Sequence, residues 1–258
     1  MRLPVASGRN SRQKELLEHL GGTGTGSIEE LCQKFEVSEM TIRRDLSELQ
    51  EKGLLIRTHG GAKLTESTFF EISFSAKNSQ FMQEKMQIAE IASTLIKPND
   101  RIVIDSGTTA GQLTRHIGDK KLTVITNALN VATDLIDFAN IDLLLCGGSL
   151  RRGIVASIGP LTVTSFNSFR CDRLFMGVDG IDANGSLTVP DMQEAMVKQA
   201  MMKMADEIYV LADHSKLGRN SLGVIGELSS VTGLITGPEA DKKIVEKLRE
   251  HTEIIISK

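Results

Sequence analysis

Ile102-Val103-Ile104-Asp105-Ser106-Gly107-Thr108-Thr109 is the stretch from which the fold of this chain can be read. Three consecutive β-branched apolar residues fit a strand buried on both faces. The small polar residues after them fit a turn opening a helix that runs on through Leu113 and Ile117. A strand, a small-residue turn and a helix make an anion site. The N–H groups of the first helical turn and the positive end of the helix dipole point at whatever sits above the strand, and the hydroxyls of Ser106, Thr108 and Thr109 add donors. A phosphate fits such a site best. The competing explanation is local, since any strand-to-helix turn favours a Gly and a capping Ser or Thr.

Outward from this point the chain alternates. Strand patterns fall at 101–104, 123–126, 142–145, 173–178, 208–212, 233–235 and 253–256, and helical patterns at 84–95, 131–138, 161–169, 190–204 and 241–251. Such alternation predicts an α/β fold with a mostly parallel, doubly covered sheet, in which a ligand sits at the carboxyl ends of the strands. That rule gathers scattered polar residues onto one rim. Asp105 and Ser106 to Thr109 end the first strand, Thr126 and Asn127 the second, and Gly147 and Gly148 the third, with Arg151 and Arg152 just after. Asp179 and Gly180 end the fourth and Asp213 to Lys216 the fifth. The glycines allow close backbone approach, and Lys216 places a long-armed cation near an anion. A phosphate flanked by Asp105, Asp179, Asp182 and Asn127 is one that carries hydroxyls, as in a phosphorylated sugar or polyol. For Asp182, which precedes Ala183-Asn184-Gly185, turn capping is an equal alternative. The Met-rich segment with Met196, Met201, Met202 and Met204 reads either as core or as a plastic dimer surface.

The first sixty or so residues follow a different pattern. Leu16, Leu17 and Leu20 share one face of a first helix, which the glycines between 21 and 26 should end. Ser27 and Glu30 make a capping box for a second, short helix that buries Ile28, Leu31 and Phe35. Ser38 caps a third, with Ile42, Leu46 and Leu49 on its apolar face and a stop at Gly53. Opposite that stripe lie Met40, Arg43, Arg44 and Ser47, with Thr41 near the helix start. A basic helix face of this kind suits the major groove of DNA. Residues 54–64 then read as a hairpin turning at Gly60 and Gly61, a wing whose Arg57, His59 and Lys63 are expected to project toward a nucleic-acid backbone. An isolated Arg pair is usually a solvated helix face; three capped helices followed by a basic, Gly-rich hairpin outweigh that explanation.

Composition sets limits. The chain has 258 residues, room for a small module and a medium domain, and a net charge of −3, so nucleic-acid contact must come from a local patch. No run reaches the roughly 18 apolar residues of a membrane span, and the N-terminus lacks a signal-peptide pattern, which predicts a cytoplasmic protein with no membrane partner. Three scattered cysteines, Cys32, Cys146 and Cys171, suggest neither a disulfide framework nor a metal site, and no cofactor is expected. One Tyr and no Trp argue against single-strand stacking.

Thr41-Ile42-Arg43-Arg44-Asp45-Leu46, followed by Leu55-Ile56-Arg57-Thr58-His59-Gly60-Gly61-Ala62, resembles the helix and wing signature of the DeoR family of bacterial transcriptional regulators. In that setting Asp45 is expected to pair with a neighbouring cation, because an outward carboxylate would repel phosphate. Asp105 to Thr109, Thr126-Asn127, Gly147-Gly148 with Arg151, Ser157 and Gly159, Asp172 to Phe175, Gly177, Asp179 to Asp182, Gly185, Glu194, Lys198 and Ala212 to Lys216 resemble the family's effector domain. That domain shares its fold with ribose-5-phosphate isomerase and related sugar-phosphate enzymes. The resemblance adds Glu194 and Lys198 to the candidate effector residues. Three capped helices and a hairpin place a winged helix-turn-helix over 1–64, a stretch rich in Ser, Thr and Phe without a clean period gives a linker over 65–83 with a strand-like part around 69–74, and the effector and oligomerisation domain then covers 84–258. The resemblance further implies a repressor of a carbohydrate-utilisation operon that binds double-stranded operator DNA, is relieved by a phosphorylated sugar or polyol, forms a homo-oligomer and catalyses nothing. The alternative is an isomerase carrying a DNA-binding module, with Glu194 or Asp179 as base and Lys216 stabilising an enediolate. A protein that binds sugar phosphate but has lost DNA binding is disfavoured by the presence of Arg43, Arg44 and the wing cations.

Overall fold

The computed structural model describes residues 8–23, 25–65 and 74–257. The chain divides into two compact units, Met1–Lys77 and Asn78–Lys258.

In the first unit α1 (Gly8–Thr23) ends within the glycine run between 21 and 26, and its Leu16 and Leu20 are fully buried and hold its last turns to the core. The next residues form a strand where a loop was expected. β1 (Thr25–Ser27) pairs antiparallel with β3 (Gly61–Leu64), giving with β2 (Leu55–Thr58) a three-stranded sheet of order β1-β3-β2. α2 (Ile28–Phe35) begins with the expected capping box. The Glu30 N–H donates to Ser27 Oγ (3.2 Å), and Glu30 Oε2 accepts from the Ser27 N–H (2.9 Å). Left-handed Glu36 ends it, and Ser38 caps α3 (Glu39–Glu51), whose Ile42, Leu46 and Leu49 are buried. β2 (Leu55–Thr58) and β3 (Gly61–Leu64) form the wing, turning at Gly60 with φ +95°. Gly61 cannot carry a side chain, since a Cβ there would lie 2.2 Å from the Gly26 carbonyl oxygen across the β1–β3 pair.

The expected strand around 69–74 lies largely outside the described residues, and the stretch 65–83 read as linker contains a short helix, α4 (Phe74–Ser79). The second unit then runs through α5 (Met82–Thr94), β4 (Arg101–Ile104), β5 (Leu122–Thr126), α6 (Leu129–Leu135), β6 (Ile141–Leu145), β7 (Ser149–Arg151), β8 (Ala156–Ile158) and α7 (Pro160–Asn167). It continues through β9 (Cys171–Gly177), β10 (Gly180–Ile181), β11 (Ser186–Val189), α8 (Met192–Met204), β12 (Ala205–Leu211), β13 (Gly223–Glu227), β14 (Gly233–Thr236), α9 (Lys242–Leu248) and β15 (Glu253–Ile256). The seven strands foreseen are the seven members of one sheet, ordered β15-β14-β12-β9-β4-β5-β6, with every pairing parallel.

Successive side chains leave opposite faces of a strand, and both faces are buried here. Val103, Ile125, Leu174, Met176 and Val210 pack on one side, while Ile102, Ile104, Val124, Phe175 and Leu211 pack on the other. The antiparallel pair β7-β8 and the small sheet β10-β11-β13 were not foreseen, being short strands without a sustained period. The Met-rich helix divides its methionines. Met201 and Met204 are core, whereas Met192 and Met196 are half exposed.

Candidate functional site

The solvent face of α3 carries Met40, Arg43 and Arg44, all exposed. Each arginine pairs along the helix, Arg43 with Glu39 (2.6 Å) and Arg44 with Glu48 (3.6 Å). Exposed pairs of this kind contribute little, so an incoming phosphate or guanine can replace the carboxylate at small cost. Thr41 Oγ1 lies 2.9 Å from Ser38 Oγ at the helix start. Ser47 bridges to the wing, with Arg57 Nη1 donating to its hydroxyl at 3.1 Å. Strand register separates the wing cations. Arg57 lies opposite Ala62 and Ile56 opposite Lys63, and directly paired residues share a face. Arg57 therefore extends the α3 surface, Lys63 leaves from the other face beside exposed Ile56, and His59 stands exposed at the tip. Asp45, 1% exposed, accepts from Arg12 Nε at 2.6 Å, the structural pairing expected of it. Its hydrogen bond is the main cause raising the Arg12 pKa.

At the carboxyl ends of the parallel strands the centre is a buried ion cluster. Lys198 on α8 bonds Asp105 at the end of β4, donates to the Gly177 carbonyl at 3.0 Å and lies 3.6 Å from Glu194 one turn earlier. The Gly177 N–H in turn donates to Asp105 Oδ2 at 2.9 Å, tying β4 to β9. Burial lowers the Lys198 pKa, but Asp105, Glu194 and Asp179 more than offset it, so the net shift is upward. Beside this cluster Lys216 Nζ lies 3.8 Å from Asp179 Oδ1, both side chains partly exposed.

The turn after β4 differs from the expected helix. Ala110–His116 is 3₁₀ rather than α, with the Gln112 N–H donating three residues back to the Thr109 carbonyl at 3.2 Å. Gly111 and the β-branched threonines at 108, 109 and 114 all disfavour an α-helix, so the dipole available to an anion is smaller than a full helix would supply. Ser106 and Thr109 are buried, Ser106 Oγ reaching Asp105 Oδ1 at 3.3 Å, whereas Gly107 and Thr108 are half-buried. Gly107 passes close to Gly177, where a Cβ would meet the Gly177 Cα at 3.3 Å.

Other candidates also make contacts within the fold. Asp182 Oδ1 accepts from the N–H groups of Asn184 (2.9 Å) and Ser186 (3.0 Å), the turn-capping alternative. Gly148 makes room for protein: a Cβ there would lie 2.1 Å from Thr162 Oγ1. Arg151 pairs with Asp191, whose other oxygen caps α8 at the Glu194 N–H (2.9 Å). Asn127 Nδ2 donates to the Ser157 carbonyl at 2.7 Å, holding β5 to β8. The structure thus brings Asp105, Glu194 and Lys198 together with Asp179 and Lys216 alongside, and gives Asn127, Gly148, Arg151 and Asp182 contacts within the fold.

One cluster escaped the sequence reading. Glu84 and Lys85, in the first turn of α5, are 4% and 2% exposed. Glu84 Oε1 accepts from the His214 N–H (2.7 Å), and Oε2 lies 2.8 Å from His214 Nδ1. Lys85 Nζ lies 3.9 Å from Asp213 Oδ2, also buried. The available signal was that both charges precede Ile88 by one helical turn and so share its apolar face. With exposed Glu239, Glu84 and His214 bring three possible metal-ligand atoms within 4.8 Å of one another. Both Glu84 oxygens are already engaged by His214, so the cluster is satisfied as it stands.

Comparison with known proteins matches the DeoR-like helix-turn-helix domain over residues 12–68 and the DeoR C terminal sensor domain over residues 80–238. The glycerol-3-phosphate regulon repressor of Escherichia coli (strain K12) is 34% identical over 244 residues, 94% of this chain and 96% of that one. The HTH-type transcriptional regulator IolR of Bacillus subtilis (strain 168) is 31% identical over 241 residues, 93% of this chain and 96% of that one. Among solved structures, eIF2B delta from Chaetomium thermophilum aligns with a TM-score of 0.46 at 21% identity over 66% of this chain and 60% of its own. Ribose 5-phosphate isomerase A from Methanocaldococcus jannaschii aligns with a TM-score of 0.37 at 18% identity over 51% of this chain, which spans about half (52%) of the isomerase. Both domain models match in the order in which the two units are built, and relatives above 30% identity align over nearly their whole length, so the chain belongs to the DeoR family of DNA-binding transcriptional regulators.

Proposed function

We propose that this regulator represses a carbohydrate-utilisation operon from the cytoplasm and is released from its operator by a phosphorylated sugar or polyol. The labour divides between residues 1–64 and 84–258, and the working species is a homo-oligomer. Thr41, Arg43, Arg44 and Ser47 meet the major groove, with Arg57 continuing that surface and His59 and Lys63 reaching backbone phosphate. The sensor takes its ligand at Ser106 to Thr109, Asp179 and Lys216, above the Asp105–Lys198–Glu194 cluster.

The observation that carries the sensing half is the Lys216–Asp179 pair, whose 3.8 Å separation and partial exposure leave the ammonium room to turn to a phosphate. Against the isomerase alternative, Glu194 and Asp105 are both committed to one buried ammonium, which suits a rigid floor better than a carboxylate that must take a carbon-bound proton. The relative named as the glycerol-3-phosphate regulon repressor points the same way.

The test is a thermal-shift panel of phosphorylated sugars and polyols on the purified chain, since a ligand at a hundred times its dissociation constant adds about 2.7 kcal/mol. The stabilising compound should also weaken operator binding, and Lys216→Ala should abolish both effects while leaving operator affinity intact. Conversion of that compound to its isomer would establish the enzymatic alternative instead.

A further inference from the structure

Burying a carboxylate and an ammonium in the first turn of a helix is costly unless each is paired, and neither charge is needed to form α5. Both partners of this helix turn come from one short segment. Glu84 holds the backbone and ring of His214, and Lys85 faces Asp213, whose Oδ1 accepts from the Ser215 N–H at 3.1 Å and from the Ser215 hydroxyl. The Phe81 ring, just before α5, meets the His214 ring edge-on with centroids 4.5 Å apart. Gly237 closes the far side, because a Cβ there would lie 2.2 Å from Glu84 Oε1. The segment so fastened is the 3₁₀ turn His214–Lys216, which ends in the cation facing Asp179.

We infer that Glu84 and Lys85 are positioning residues of the sensor, fastening the Asp213–Lys216 turn to the start of α5, and that through them a change at Lys216 reaches the point where the chain arrives from the DNA-binding unit. The inference rests on the proposed placement of the effector at Lys216. Two charged contacts, a ring contact and a backbone hydrogen bond make the turn and the helix start move as one body. A ligand that draws Lys216 off Asp179 therefore displaces residues 81–85 rather than the side chain alone.

The test is a double-mutant cycle in the full chain, Lys216→Ala against Glu84→Gln with Lys85→Met, read by hydrogen exchange. Lys216→Ala alone should change the exchange rate of the amides at 82–88 by about threefold or more, and Lys216→Ala added to the double substitution should change it no further. Equal effects of Lys216→Ala in both backgrounds would overturn the fastening. Should the double substitution destabilise the unit, Lys85→Arg, which keeps the charge, is expected to restore the Lys216→Ala response, and failure to restore it counts against the inference. A separate arm adds inorganic phosphate to the wild-type chain. Protection of 105–111 and 213–217 supports the sensor site, whereas its absence overturns that site and leaves the cycle to decide the fastening.

Discussion

Replacing Lys198 by Met tests whether the buried cluster is the floor of the sensor. Lys198 is 2% exposed and lies between Asp105 (1%) and Glu194 (7%), so Met fills the volume but leaves two buried carboxylates without their cation. Breaking a buried pair from one side costs about 3–5 kcal/mol, and for a unit of this size each kcal/mol moves the melting temperature by about 2–4 °C. The sensor unit should melt roughly 6–20 °C lower near pH 7. The pH dependence has a definite sign. In the wild type the Lys198 pKa is raised, so its contribution is complete below the ordinary lysine value and fades only as pH rises through the higher folded value. Between about pH 5 and 8 the wild type gains or loses nothing through Lys198. In the variant the facing carboxylates disfavour full ionisation, their folded affinity for a proton rises, and the deficit should shrink as the pH falls. Calorimetric or circular-dichroism melts at several pH values read both effects. A variant that melts within about 2 °C of wild type at neutral pH, or whose deficit grows on acidification, would refute this account of the cluster.

Further substitutions test the DNA-binding unit. Arg43→Ala and Arg44→Ala should each weaken operator binding by about 1–3 kcal/mol if the arginine reads a base, or flatten the salt dependence by roughly one ion if it meets phosphate, with folding unchanged. Titrations of labelled operator at several salt concentrations decide this, and wild-type affinity in both variants would end the recognition-helix assignment. Arg57→Ala should weaken operator binding more than Lys63→Ala, because only Arg57 shares a surface with Ser47 and α3; the reverse order in the same titrations would contradict the register argument. Gly61→Ala should separate β1 from β3 and cost about 1–3 kcal/mol, a large fraction of what so small a core supplies. Retention of operator binding and of resistance to limited proteolysis would show that the strand contact is dispensable.

Much of this molecule was legible because its signals are local. A parallel strand buried on both faces must be a continuous run of β-branched and apolar residues, so Ile102 to Ile104, fully buried, announce themselves without their neighbours. Ser27 with Glu30, and Ile42 with Leu46 and Leu49, depend only on helix geometry. The residues of the central cluster were also visible as polar groups at strand ends or as matches to the family pattern. Their partners were not. Thr25-Gly26-Ser27 forms a strand because Gly61 lets another backbone approach, a fact carried by the partner. Whether Arg57 or Lys63 faces α3 depends on strand register, and whether Asp182 and Gly148 serve a ligand or the chain depends on Ser186 and Thr162 lying where they do. Glu84 is buried by His214, 130 residues away. Periodicity encodes which face of an element turns inward; only the assembled fold decides which distant polar group meets a buried charge, because that pairing is set by three-dimensional distance and not by spacing along the chain.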